Sequence, residues 1–131
     1  MRYMGLVIMD PNQGPPPQAL MDAMEVYVGK NAADGIYLDG GGLGQGENRI
    51  GYQVRSGQMS TTDGPFTEAK EIIGGYAMLE YRNHAEAVEG ARSFTELHRE
   101  HWPEWEGRVE MHLIEGPEAT GCPAGEQQPG A

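Results

Sequence analysis

The run from Thr61 to Tyr81, TTDGPFTEAKEIIGGYAMLEY, constrains what this chain can fold into more tightly than any other part of it. It opens with Asp63-Gly64-Pro65-Phe66. There glycine relaxes the backbone, proline fixes a φ angle, and the aspartate can accept hydrogen bonds from nearby amides. A short helix is predicted next, capped by Thr67, with Glu68 close to the amides of its first turn. Gly74 and Gly75 interrupt that pattern, so the helix is expected to end by about Gly74, with one of the two glycines allowing the reversal. Tyr76 to Tyr81 then reads as a strand, apolar on both faces except for Glu80. The segment joins a polar turn to a buried strand. A pocket beside the turn is the best functional candidate, and a tightly packed structural turn is the competing reading.

At 131 residues with 38% hydrophobic content, the chain suits one domain with a small core. Twenty acidic residues stand against nine basic ones, a formal charge of −11. That field disfavours nucleic acid and anionic membrane as partners, while leaving room for a small anion held by a local arginine. Cys122 is the only cysteine, which excludes an intramolecular disulfide and a CxxC redox or zinc motif. With no signal-like leader and no apolar run long enough to span a bilayer, a cytoplasmic location is expected.

From the amino end, Tyr3 to Met9 carries apolar side chains on both alternating faces and reads as a strand covered on both sides. Asp10 to Gly14 end it, and three prolines delay regular structure until about Gln18. Leu20, Met24, Tyr27 and Val28 then recur on one helical face, with Gly35 as a plausible stop. Ile36 to Leu38 can form a short strand. The following DGGGLGQGENR lacks both the lysine-serine/threonine ending of a phosphate loop and the glycine spacing of a dinucleotide fingerprint. It is expected to be a mobile connection or a pocket rim. Gly51 to Arg55 and Gln58 to Thr62 read as a hairpin turning at Ser56-Gly57. Asn83 and Glu86 have the spacing of a capping box, heading a helix whose apolar face includes Ala87 or Val88, Ala91, Phe94 and Leu97. Arg108 to Ile114 is the last strand expected, and residues 116–131 read as a flexible tail behind a domain of residues 1–115.

This order of elements suits an α+β ferredoxin-like sandwich with both main helices on one sheet face. Its other face would then be too apolar to stay wet, and dimerisation through it would remove the mismatch.

The sequence resembles the DGPF, or YCII-related, family over roughly Met1 to Glu115. The resemblance is carried by RYMGLVIM near the start, DGPF at Asp63 to Phe66, TEAKEIIGGYAMLE at Thr67 to Glu80, and VEMHLI at Val109 to Ile114. It implies a ferredoxin-like chain that forms a dimeric αβ barrel, with a cleft near the dimer-facing sheets. Some YCII-related proteins are associated with a histidine and aspartate pair. The histidine expected in the first helix has no counterpart between Gln18 and Asp34. Only the motif aspartate, Asp63, carries over, as a pocket residue without an assigned proton-transfer role.

Other chemistry is less well supported by the residues. His98 and His101 share a helical face, yet Glu100 lies off it and His112 is remote, so capping, surface or packing roles are expected and no metal site is assigned. No serine stands in a nucleophile-elbow context. Two functional classes remain. One is a homodimer with a small-molecule-binding or enzyme-like cleft, in which Asp63, Glu68 and Tyr76 are the ligand-binding candidates. The other is a noncatalytic regulatory or protein-interaction module in which Asp63 shapes the turn, Glu68 stabilises its helix and Tyr76 packs. Neither reading identifies a cofactor or a catalytic residue.

Overall fold

The structure, a computed structural model, describes residues 1–46, 48–63 and 71–116, apart from the side chains of Thr62 and Asp63. Within them the chain runs β1 (Arg2–Met9), α1 (Gln18–Ala33), β2 (Tyr37–Gly42), β3 (Ile50–Arg55), β4 (Gln58–Asp63), β5 (Ile72–Glu80), α2 (His84–His101) and β6 (Gly107–Leu113). Four strands form an antiparallel sheet in the order β2-β5-β1-β6, and β3 pairs with β4 in a separate two-stranded sheet. An antiparallel sheet with two helices in this order is compatible with the ferredoxin-like fold, with the β3–β4 hairpin inserted between β2 and β5.

The predicted end of a helix near Gly74 is not found. Residues 64–70, where that helix was to begin, lie outside the described residues, but Ile72 to Gly75 are already strand. The reason is pairing on both sides: Gly75 stands opposite Val7 of β1 and Gly42 of β2, so two neighbours supply the ladder that glycine's own propensity does not favour. Between Val7 and Ile8 the register shifts, because Ile8 pairs with Ile73 and Gly74 is passed over. Asp39 to Gly42, expected as the start of a mobile connection or a pocket rim, also belong to a strand, and Gly41 and Gly42 line a cavity. Here the absence of side chains is used: a Cβ on Gly40 would collide with the Tyr37 hydroxyl at 2.5 Å and the Tyr76 carbonyl oxygen at 2.7 Å.

The other elements follow their local chemistry. Ser56 and Gly57 have φ of 51° and 77°, the left-handed pair that a two-residue hairpin turn of matching twist requires. Gly35, with φ 78°, follows α1 as its stop. At the start of α2, the Asn83 side chain accepts a hydrogen bond from the Glu86 amide at 2.9 Å. Glu86 reaches one residue further back than a capping box would, accepting from the Arg82 amide at 3.1 Å and from Arg82 Nε at 2.7 Å. The Arg82 guanidinium holds the Glu86 carboxyl below its usual range.

The core joins the sheet to α2. Tyr3, Leu79, Tyr81 and Ala87 form its buried centre, with Ile36, Tyr37, Ala77 and Met111 packed against them. Tyr3 is fixed at both ends, edge-on to Tyr81 and with its hydroxyl 3.0 Å from His84 Nδ1. Strand alternation sends the residues between these to the other side of the sheet, where Met4 pairs with Met78 and Leu6 with Tyr76, all four only half-buried. Among the described residues, no helix is long and apolar enough to cross a membrane.

Candidate functional site

Between the two helices and the sheet lies a cavity of about 410 Å³. It exists because the two layers meet at unequal depths. Leu20, Met24, Tyr27 and Val28, the apolar stripe of α1, point into it, and so do Phe94 and His98 of α2. Facing them on the central strands are Gly5 and Ala77, which offer almost no side chain to meet the helices. Leu20 is only 2% exposed, whereas the lining residues Pro16, Met21, Leu43 and Gln45 are exposed. The cavity therefore opens between the beginning of α1 and the segment after β2.

Among the described residues, no charged side chain lines it. Three of its titratable groups are held toward their neutral forms. Burial, then the neighbouring Asp39 and Tyr76, raise the Tyr37 hydroxyl. Burial, then Tyr27 and Glu86, push Tyr81 up to about 12. Burial lowers His98, partly opposed by its bond to the Phe94 carbonyl. Several polar groups are already engaged. The Tyr27 hydroxyl lies 2.7 Å from Ser93 Oγ, Asn31 Nδ2 donates to the Tyr27 carbonyl at 2.8 Å, and Gln45 Nε2 donates to the Leu43 and Ile73 carbonyls at 3.1 and 3.0 Å.

His98 is 3% exposed and sits in an aromatic stack. Phe94 lies edge-on to its ring at 4.8 Å, and Trp105 lies against it at 4.6 Å. Its Nδ1 is 3.0 Å from the Phe94 carbonyl oxygen one turn earlier. Because a carbonyl only accepts, Nδ1 carries the proton and Nε2 of the neutral ring is left with a lone pair. His101, expected on the same face, makes a similar bond to the Leu97 carbonyl at 3.1 Å, and no cluster of three metal-binding side chains occurs among the described residues.

Of the residues singled out from the sequence, Tyr76 lies on β5 opposite Gly41, with its hydroxyl 3.4 Å from Asp39 Oδ2. It alternates with Ala77, so its ring stands on the sheet face away from the helices. Asp63 ends β4 opposite Ile50, and its side chain, like all of Glu68, lies outside the described residues. His98, Tyr37 and Phe94 were not singled out as site residues. The signal for the first and last was their i, i+4 spacing, which puts two rings on one helix face.

No curated protein matches the chain. A family model described as the YCII-related domain matches residues 1–100. With that match covering most of its length, the chain belongs to the YCII-related domain family.

Proposed function

We propose that this YCII-related domain binds a small neutral molecule in the cavity between its helices and its sheet. The observation that carries the reading is the cavity itself: about 410 Å³, mainly apolar, without a charged lining side chain among the described residues, and open at one end. A volume near 150 Å³ already accepts benzene, and ligand sites begin at roughly 300 Å³, so this space is on the scale of a site and above that of a packing fault. The test is titration with N-phenyl-1-naphthylamine, a neutral apolar dye whose emission rises out of water. One dye per chain is expected, with binding abolished by Ala77→Phe, which fills the space from the sheet side. Absence of binding to the wild type, or undiminished binding to a folded Ala77→Phe variant, would count against the reading.

The working unit in this proposal is a homodimer joined through the half-buried Met4, Leu6, Tyr76 and Met78 face, which would bring two sheets together as an αβ barrel. Sedimentation equilibrium is expected to give twice the 14.3 kDa chain mass. Tyr76 and Asp39 lie at that face, and Asp63 and Glu68 are proposed as further polar groups of a dimer-associated cleft. Asp63→Asn is the substitution that tests their part.

A specific observation favours the second reading, a noncatalytic interaction module. Ile50, Tyr52, Val54 and Met59 share one face of the β3–β4 hairpin and are 78, 69, 70 and 71% exposed. Four large apolar side chains on one exposed ribbon are more than scattered surface residues. If the dimer forms without engaging this ribbon and no dye enters the cavity, the interaction reading takes precedence.

A further inference from the structure

We infer that the molecule taken up by the cavity is a neutral, mainly apolar compound carrying one hydroxyl or N–H donor, and that His98 Nε2 is the acceptor that fixes its orientation. This rests on the cavity being a binding site, as proposed above, and adds the class of ligand and the residue that selects it.

The argument starts from what His98 lacks. Its Nδ1 is committed to the Phe94 carbonyl, and the ring makes no other hydrogen bond among the described residues. Trp105 Nε1 is the only buried side-chain nitrogen or oxygen, among the described residues, that is both sealed off and unpartnered. Nε2 of His98 has no hydrogen-bond partner among the described residues either, and the ring it belongs to forms part of the cavity wall.

Its direction is fixed. The Phe94 carbonyl holds one edge of the ring, while Phe94 and Trp105 hold its faces, so Nε2 cannot turn to find another partner. A buried acceptor left without a donor is unfavourable, and a hydroxyl buried without an acceptor is equally so. A ligand that brings a donor to Nε2 satisfies both groups at once. Ionic ligands are disfavoured because, among the described residues, no charged side chain lines the space to neutralise them. What remains is an apolar body with a single donor.

The selectivity of a matched pair of probes tests this. 2-Naphthol and 2-methylnaphthalene have the same ring system and nearly the same volume, differing by a hydroxyl in place of a methyl. The wild type is expected to bind 2-naphthol about tenfold more tightly, a difference worth about 1.4 kcal/mol. His98→Phe is expected to remove or reverse that preference while still binding 2-methylnaphthalene. Equal affinities in the wild type, or an unchanged preference in the variant, would overturn the role of His98 and leave the cavity reading standing. Failure of both probes to bind would overturn the cavity reading and this inference together. Should His98→Phe not fold, the ¹⁵N spectrum of the wild-type imidazole decides. The Nε2 resonance is expected to move on adding 2-naphthol and to stay in place with 2-methylnaphthalene; an unmoved Nε2 with bound 2-naphthol contradicts the inference.

Discussion

The His98 imidazole, which lines the cavity, lies against the Trp105 indole, ring centroids 4.6 Å apart and tilted by 38°. It ties the last turns of α2 to the segment leading into β6, so the ring that faces the cavity is also part of the protein's packing. Changes at His98 are therefore expected to show in stability as well as in binding.

The pH dependence of that stability has a definite sign. His98 is lowered from its ordinary 6.5 in the folded chain, so the unfolded chain binds its proton more readily. Stability is unaffected above about 6.5 and declines as pH falls from there toward the folded value. Glu80 and Glu86 are also lowered, Glu80 by the amino terminus and Arg2 and Glu86 by Arg82, but their contribution is lost only as pH falls through 4.5 and below. Urea midpoints at pH 7.5, 6.5 and 5.5 are expected to fall at the acid end in the wild type, with a shallower fall in His98→Phe. Equal slopes in the two proteins over this range would contradict the assignment.

Gly90 and Tyr81 form a second tight pair. A Cβ at Gly90 would land on the Tyr81 hydroxyl, and Tyr81 is buried. Alanine at an ordinary helix position gains about 1 kcal/mol over glycine. Here overpacking of about 1–3 kcal/mol opposes that gain, so Gly90→Ala is expected to be destabilising. Adding Tyr81→Phe removes the obstructing oxygen and should recover part of the loss. Chemical denaturation of the two single variants and the double variant measures the coupling. Additive effects would mean that the two residues do not meet as described.

Leu20 tests the packing around the cavity. It is 2% exposed and is the cavity's best-buried contribution from α1. Leu20→Ala is expected to cost about 3 kcal/mol, within the range for truncation of a buried leucine. Saturating N-phenyl-1-naphthylamine should restore part of the melting temperature, because a ligand that binds only the folded state stabilises it. No effect of the dye on the variant's melting temperature would count against the enlarged space being accessible.

Much of this fold was legible in the sequence. The hairpin was, because Ser56-Gly57 is a turn pair that few other conformations suit, and so was α2, because Asn83 and Glu86 announce its start and its apolar residues keep helical period. The beginning of β5 was not. Gly74 and Gly75 argue against regular structure locally, and what makes the stretch strand is pairing of Ile73 with Ile8 and of Gly75 with Val7 and Gly42 across the sheet. The same holds for Gly40, where the Tyr37 hydroxyl and the Tyr76 carbonyl oxygen occupy the space a Cβ would need. The cavity was the least legible feature. It depends on small residues at positions 5 and 77 falling opposite a histidine at 98, a coincidence of three elements that no local pattern records. Tyr76, named from the sequence, is among the residues lining the cavity, although strand alternation puts its ring on the face of the sheet away from the helices.

The most direct test of the central claim, that the cavity between helices and sheet is the binding site, is to locate a bound probe by intermolecular NOEs. With the protein saturated with 2-methylnaphthalene, the account predicts NOEs from the ligand's ring protons to the methyl groups of Leu20, Met24 and Met111, all of which line the cavity. NOEs confined to Ile50, Val54 and Met59 of the exposed hairpin would place the ligand outside the cavity and contradict the account.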